Sequence, residues 1–306
     1  MGSATFSERL HARVAASGSV VCLGIDPRPE AHPSTHPDAH AGDPAKVAKA
    51  LVEYFRGIVE AAEPHLACVK VQSAFFERLG IPGLIAMAQL ASDVRSLGLP
   101  LILDAKRGDV GFTSEAYADA YLADGVFAAD ALTVHPYLGM DALEPFFTAA
   151  ERNRRGVFVL VRTSNPGGAD LQDLVLAEQG AGGEPSDSGR CTVAHRLAEL
   201  LTRRARQAGV DARGYGPIGA VVGGTVPGHL ATLRRRLPHA ILLVPGYGAQ
   251  GAAPAEVRAA FDADGFGAVV SASRSLTYLA GDDPPAEAAA AARVMHDALR
   301  SELAPA

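Results

Sequence analysis

Short apolar runs recur along the whole chain, and between them lie stretches whose apolar residues fall at helical spacing. Segments 19–26, 66–72, 100–106, 131–137, 156–164, 218–225, 240–245 and 267–274 are too short for buried helices and rich in β-branched residues, so each predicts a buried strand. The intervening patterns predict helices. One spans 6–16; a second is capped by Asp43 and carries Val47, Leu51, Tyr54, Phe55 and Ile58 on one face. Others are expected near 83–97, 114–122, 139–152, 192–207, 227–237 and 285–303. Strands that alternate with helices at even spacing, with no break in composition, predict one (β/α)8 (TIM) barrel domain over 1–306. An open, doubly wound sheet is the alternative fold.

Two stretches interrupt the alternation. Segment 27–45 is rich in Pro, His and Ala, and its His32, His36 and His40 are spaced by four; Pro33 and Pro37 break any helix that could align them on a metal, so a surface loop is expected. Segment 165–190, rich in Gly, Asp and Ser, is too long for a simple connector; a loop of this length is expected to be a lid or binding loop, or else partly disordered. Composition narrows the remaining choices. The 306 residues are 48% hydrophobic and carry a net charge of −6, which gives no overall attraction for nucleic acid or an anionic membrane. No run approaches the length of a membrane span, and residues 1–19 lack the apolar core of a signal peptide. Cys22, Cys68 and Cys191 are odd in number with no Cys-x-x-Cys spacing, which fits a reducing, cytoplasmic setting and argues against a disulfide or metal role.

The chemistry sits where strands end. In a barrel the C-terminal ends of the strands share one face. This chain places Asp26, Lys70, Asp104, Lys106, Ser164, Gln250 and Arg274 there, with Asp109 just beyond. Asp104-Ala-Lys106-Arg-Gly-Asp109 is the densest of these clusters: two residues apart at the end of a strand, Asp104 and Lys106 are expected to project from one face, and Arg107-Gly108 to form a flexible exit. A solvated ion pair is one account of the motif and would contribute little energy. The other is a lysine kept protonated among carboxylates and used as an acid, because nearby negative charge favours the ammonium form. His135 is either a ligand contact or a hydrogen-bonded structural histidine, and with no partner visible in the sequence the second is the expectation. Gly246-Tyr-Gly248-Ala-Gln-Gly251 formally matches a dinucleotide fingerprint, but it follows the seventh strand and lacks an acid at the ribose spacing. It is better read as a place where backbone amides approach a phosphate, with Gln250 and Arg274 as additional donors.

These pieces resemble the orotidine 5'-phosphate decarboxylase family in its longer bacterial type (type 2 subfamily), over essentially the whole barrel. The resemblance is carried by Asp104-Ala-Lys106-Arg-Gly-Asp109, Val-Lys70-Val, Thr-Ser164-Asn-Pro-Gly, Pro-Gly-Tyr-Gly-Ala-Gln250-Gly and Ser273-Arg274-Ser. It implies cofactor-free loss of CO2 from orotidine 5'-phosphate to give UMP, the last step of de novo pyrimidine synthesis, in a homodimer with shared active sites. By the same resemblance Lys106 donates the proton to C6, flanked by Asp104 and by Asp109 contributed across the dimer interface. Lys70 completes the charged network, Asp26 holds ribose hydroxyls, and Thr113 reaches the ribose of the partner's site. Ser164 meets the pyrimidine, and Gln250, Ser273 and Arg274 bind the substrate's phosphate end. No metal site is implied. The alternative is a Mg2+-dependent phosphosugar enzyme, a 3-keto-gulonate-phosphate decarboxylase or hexulose-phosphate synthase, which shares Asp-x-Lys-x-x-Asp.

Overall fold

The computed structural model describes residues 4–176, 191–225, 227–248, 253–279 and 281–303. Eight parallel strands close on themselves: β1 (Val21–Ile25), β2 (Cys68–Gln72), β3 (Leu101–Arg107), β4 (Ala131–Val134), β5 (Gly156–Arg162), β6 (Ile218–Val222), β7 (Leu242–Pro245) and β8 (Ala268–Ala272). Each pairs with the next in sequence, and β8 returns to β1 through Val21 and Val270. Closure excludes the open doubly wound sheet. Every strand is buried along nearly its whole length because a parallel barrel has side chains in its lumen and helices on its outer face.

The helices form where the patterning places them. Pro44–Ala62 begins with Asp43, whose Oδ1 accepts the Ala45 N–H at 2.9 Å, and buries Val47, Leu51, Phe55 and Ile58 against the barrel. Phe6–Ser17 is held at its start by a Thr5–Glu8 capping box and closes the N-terminal end of the barrel. There the Phe6 ring meets Phe158 edge to face with centroids 5.8 Å apart. Around this aromatic contact the helix is also tied down by polar side-chain contacts, Arg9 to Asp130 at 2.6 Å and His11 to Asp211 at 3.1 Å.

Residues 27–45 form a largely exposed connection in which no α-helix aligns the histidines; two 3-10 turns, Pro29–Ala31 and Pro37–His40, order it, each begun at a proline whose fixed φ suits a first helical position. Thr35 is fully buried and donates to the Pro29 carbonyl at 2.8 Å, while the His32 ring lies 4.8 Å from that of Tyr54. In 165–190, the first part folds into a 3-10 turn at Pro166–Gly168 and a short helix at Ala169–Gln172; residues 177–190 lie outside the described residues.

Candidate active site

β3 organises the mouth, but it does not end as a regular strand. Its pairing with β4 slips between Leu103 and Arg107, and Lys106 takes a left-handed backbone with φ of 45°. Side chains disfavour that region, so the geometry persists only where surroundings hold it. Simple alternation therefore does not explain why Asp104 and Lys106 meet; a bulge brings them together. Lys106 Nζ lies 2.6 Å from Asp104 Oδ1, and Lys70 Nζ lies 3.0 Å from Asp104 Oδ2 and 3.6 Å from Asp26 Oδ1. The result is a chain of alternating charge across β3, β2 and the end of β1.

Arg107 is likewise no flexible exit. Its guanidinium donates to Glu77 Oε1 at 2.5 Å and to the Ala105 carbonyl at 3.2 Å, and lies over the rings of Tyr117 and Tyr121. Gly108 follows because the His135 ring occupies the place where a Cβ would stand.

Asp104 and Lys70 are buried, whereas the Lys106 side chain is 46% exposed. Burial opposes ionisation of Asp104, yet the ammonium groups of Lys70 and Lys106 and their hydrogen bonds outweigh it and hold the carboxyl well below the usual carboxylate range. Burial likewise opposes the charge on Lys70, and the carboxylates of Asp104 and Asp26 overcome it, raising Lys70 above an ordinary lysine. The two buried groups are thus charged across the physiological range, and Lys106 is the member of the network that faces open space.

That space is a cavity of about 300 Å³ at the C-terminal mouth. Asp26, Lys70, Gln72, Asp104 and Lys106 line one side; Leu160, Val221, Leu243 and Tyr247 line the other; Ser164, Ser273 and Arg274 complete the rim. Two glycines make room. A Cβ at Gly24 would strike the Ser273 hydroxyl, and one at Gly223 would lie 2.9 Å from the Ser164 backbone.

Seven of the ten residues singled out from sequence thus share one cavity: Asp26, Lys70, Asp104, Lys106, Ser164, Ser273 and Arg274. Asp109 and Thr113 do not line it. They flank the start of helix Gly111–Leu122, where Asp109 Oδ1 accepts the Val110 N–H at 2.8 Å. Gln250 lies outside the described residues. The His135 ring lies against Gly108 outside the cavity, and among the described residues its side chain has no hydrogen-bond partner. Sequence inspection missed Gln72, Thr133, Thr163, Asn165, Tyr247 and Ser271, all of which line the cavity. Gln72 and Ser271 carried a signal, since they share the lumen-facing alternation of Lys70 and Ser273; Thr133, inside Leu-Thr-Val, looks like an ordinary strand residue.

A closed eight-stranded barrel with a lysine–carboxylate network at its C-terminal mouth defines the class: a (β/α)8-barrel enzyme whose reacting groups come from the strand ends. The model of the "Orotidine 5'-phosphate decarboxylase / HUMPS family" matches residues 19–292. The chain belongs to that family. It is 45% identical over 281 residues to the orotidine 5'-phosphate decarboxylase of Rhodopirellula baltica, covering 90% of this chain and 88% of that one. Against the Deinococcus radiodurans enzyme of the same name it is 42% identical, covering 98% and 97%. The OMP decarboxylase structure of Leishmania donovani superposes with a TM-score of 0.75 at 31% identity, covering 97% of this chain and 98% of the other.

Proposed function

We infer that the chain decarboxylates orotidine 5'-phosphate to UMP, a carboxy-lyase reaction that ends de novo pyrimidine synthesis. One observation carries the chemistry: a half-exposed Lys106 ammonium is held 2.6 Å from buried Asp104, in the same cavity as Arg274. The C6–carboxylate bond breaks, CO2 leaves, and the bonding electron pair stays on C6. The ring delocalises that pair poorly, so the site stabilises it by charge and quenches it by proton transfer. Lys106 Nζ supplies the proton and later regains one from solvent. Asp104 keeps it aimed and Lys70 holds Asp104 in place, Asp26 takes the ribose hydroxyls, Ser164 the pyrimidine edge, and Ser273, Arg274 and Gln250 the phosphate. Phosphate binding far from C6 contributes through orientation of the substrate.

The scheme needs no group beyond the chain's own side chains. Conversion of orotidine 5'-phosphate, followed by the loss of its ultraviolet absorbance, tests this directly: turnover undiminished by EDTA is expected. EDTA-sensitive turnover of a phosphosugar in its place would transfer the chain to the Mg2+-dependent branch. The names of the relatives at 42–45% identity favour the first outcome.

The active form we propose is a homodimer that works in the cytoplasm on a small substrate. Asp109 and Thr113 stand outside their own cavity, next to Val110, Phe112, Tyr137 and Leu138, which expose 55%, 87%, 77% and 44% of their surface. A second copy seated on this apolar rim covers it and delivers Asp109 and Thr113 to the neighbouring site. Mixing inactive Lys106→Ala with inactive Asp109→Ala subunits then restores activity, since one hybrid site is complete; no recovery despite proven exchange excludes shared sites. Free Cys22, Cys68 and Cys191 are consistent with a reducing compartment. Among the described residues no helix is long and apolar enough to cross a membrane.

A further inference from the structure

Thr133 on β4 touches both partners of the Lys106–Asp104 pair. Its Oγ1 lies 2.9 Å from Asp104 Oδ1 and 3.0 Å from the backbone nitrogen of Lys106. Chemistry fixes the direction of each bond. An ionised carboxylate only accepts, so the hydroxyl hydrogen points to Asp104; the hydroxyl oxygen then receives the Lys106 N–H. Thr133 is 1% exposed, and water does not compete for either bond.

The local backbone shows why the hydroxyl matters. Lys106 lies inside the slip in β3–β4 pairing, where a backbone donor lacks the acceptor of a regular ladder, and it adopts a φ of 45° that a lysine does not choose unaided. Thr133 supplies the missing acceptor and at the same time fixes one oxygen of the carboxylate to which Lys106 Nζ is tied. We propose that Thr133 is a positioning residue for the reaction: its hydroxyl locks the bulged backbone of Lys106 and the rotamer of Asp104 together, so that the ammonium is delivered to one place in the cavity. This rests on Lys106 as the proton donor.

Valine and serine separate this role from packing. Thr133→Val keeps the shape and removes both bonds; Thr133→Ser keeps both bonds and removes a methyl group. The positioning role predicts that Thr133→Val lowers kcat by about 10- to 100-fold, as misplacement of a reacting group does, with KM changed less than about threefold. Thr133→Ser stays within about threefold of the unsubstituted enzyme in kcat. A packing role predicts the reverse order, with valine harmless and serine damaged, and that order overturns the proposal. Melting curves accompany the assays. If Thr133→Val does not fold, Thr133→Ser is compared with Thr133→Ala: serine more than about tenfold faster supports the hydroxyl, and equal rates overturn it. Lys106→Ala is assayed alongside. An inactive Lys106→Ala with an unimpaired Thr133→Val removes only the present inference, whereas an active Lys106→Ala removes the proton-donor reading on which it stands.

Discussion

The two sides of the cavity are built on opposite principles. From the end of β1 to β3 come two carboxylates and two ammonium groups, Asp26, Lys70, Asp104 and Lys106, separated by 3.6, 3.0 and 2.6 Å. From β5 to β7 come Leu160, Val221 and Leu243, which offer no charge at all. Segregation lets each buried charge be satisfied by a neighbouring strand before any ligand arrives, a requirement for burying ions. The apolar side keeps water away from the same space, which strengthens every interaction the charged side makes with a substrate. Charge balance makes the buried part of the first side brittle, because removing Lys70 leaves Asp104 short of a partner. The second side should tolerate change gradually.

Three substitutions can break or sharpen that contrast. The largest effect is expected for Lys106→Ala: kcat falls by at least about a thousandfold, as the loss of both an acid and a charge requires, while the melting temperature barely moves because the side chain is half exposed. Substantial remaining turnover would remove Lys106 from the centre of the scheme. Next comes Lys70→Met, which leaves Asp104 buried with one ammonium partner fewer; a loss of about 3 kcal/mol in stability is expected for breaking a buried pair. Its pH dependence follows from the two shifts. The raised pKa of Lys70 gives stability that is complete below about pH 10 and lost as pH rises beyond it, and the lowered pKa of Asp104 gives stability complete above about pH 4 and lost as pH falls below it. The melting-temperature difference between the two proteins should therefore be flat from about pH 5 to about pH 9, and a slope across that window would show that one of the pair titrates there. The smallest effect is expected on the apolar side: Leu160→Ala changes kcat/KM by less than about tenfold, or about 1.4 kcal/mol, the worth of a few methylenes at a binding wall. A loss as large as that of Lys106→Ala would end the contrast.

How legible this was in the sequence differs between the two sides for the same reason. Strand ends that finish in Asp26, Lys70 and Asp104 announce themselves, since charge at the end of an apolar run is rare, and closing eight such strands into a barrel gathers them. Leu160, Val221 and Leu243 are indistinguishable from core residues until the lumen is seen to open above them. The alternation that puts Gln72 beside Lys70 was there to be read and was not used; Asp104 and Lys106 do meet as expected, but through a left-handed residue and a register slip instead of the pleat. Periodicity describes regular backbone and says nothing of a bulge. In residues 27–45 the prolines rule out an α-helix through the histidines, but periodicity does not show that Pro29 and Pro37 each start a 3-10 turn.

Gly24 carries a last implication, for inheritance instead of catalysis. The empty place beside it is filled by the Ser273 hydroxyl from the other side of the β1–β8 seam. The two positions, far apart in the chain, therefore share a single allotment of volume. In a descendant, a side chain acquired at 24 displaces the Ser273 hydroxyl from where it stands and with it alters the rim of the mouth, so the first and last strands answer to each other across the seam.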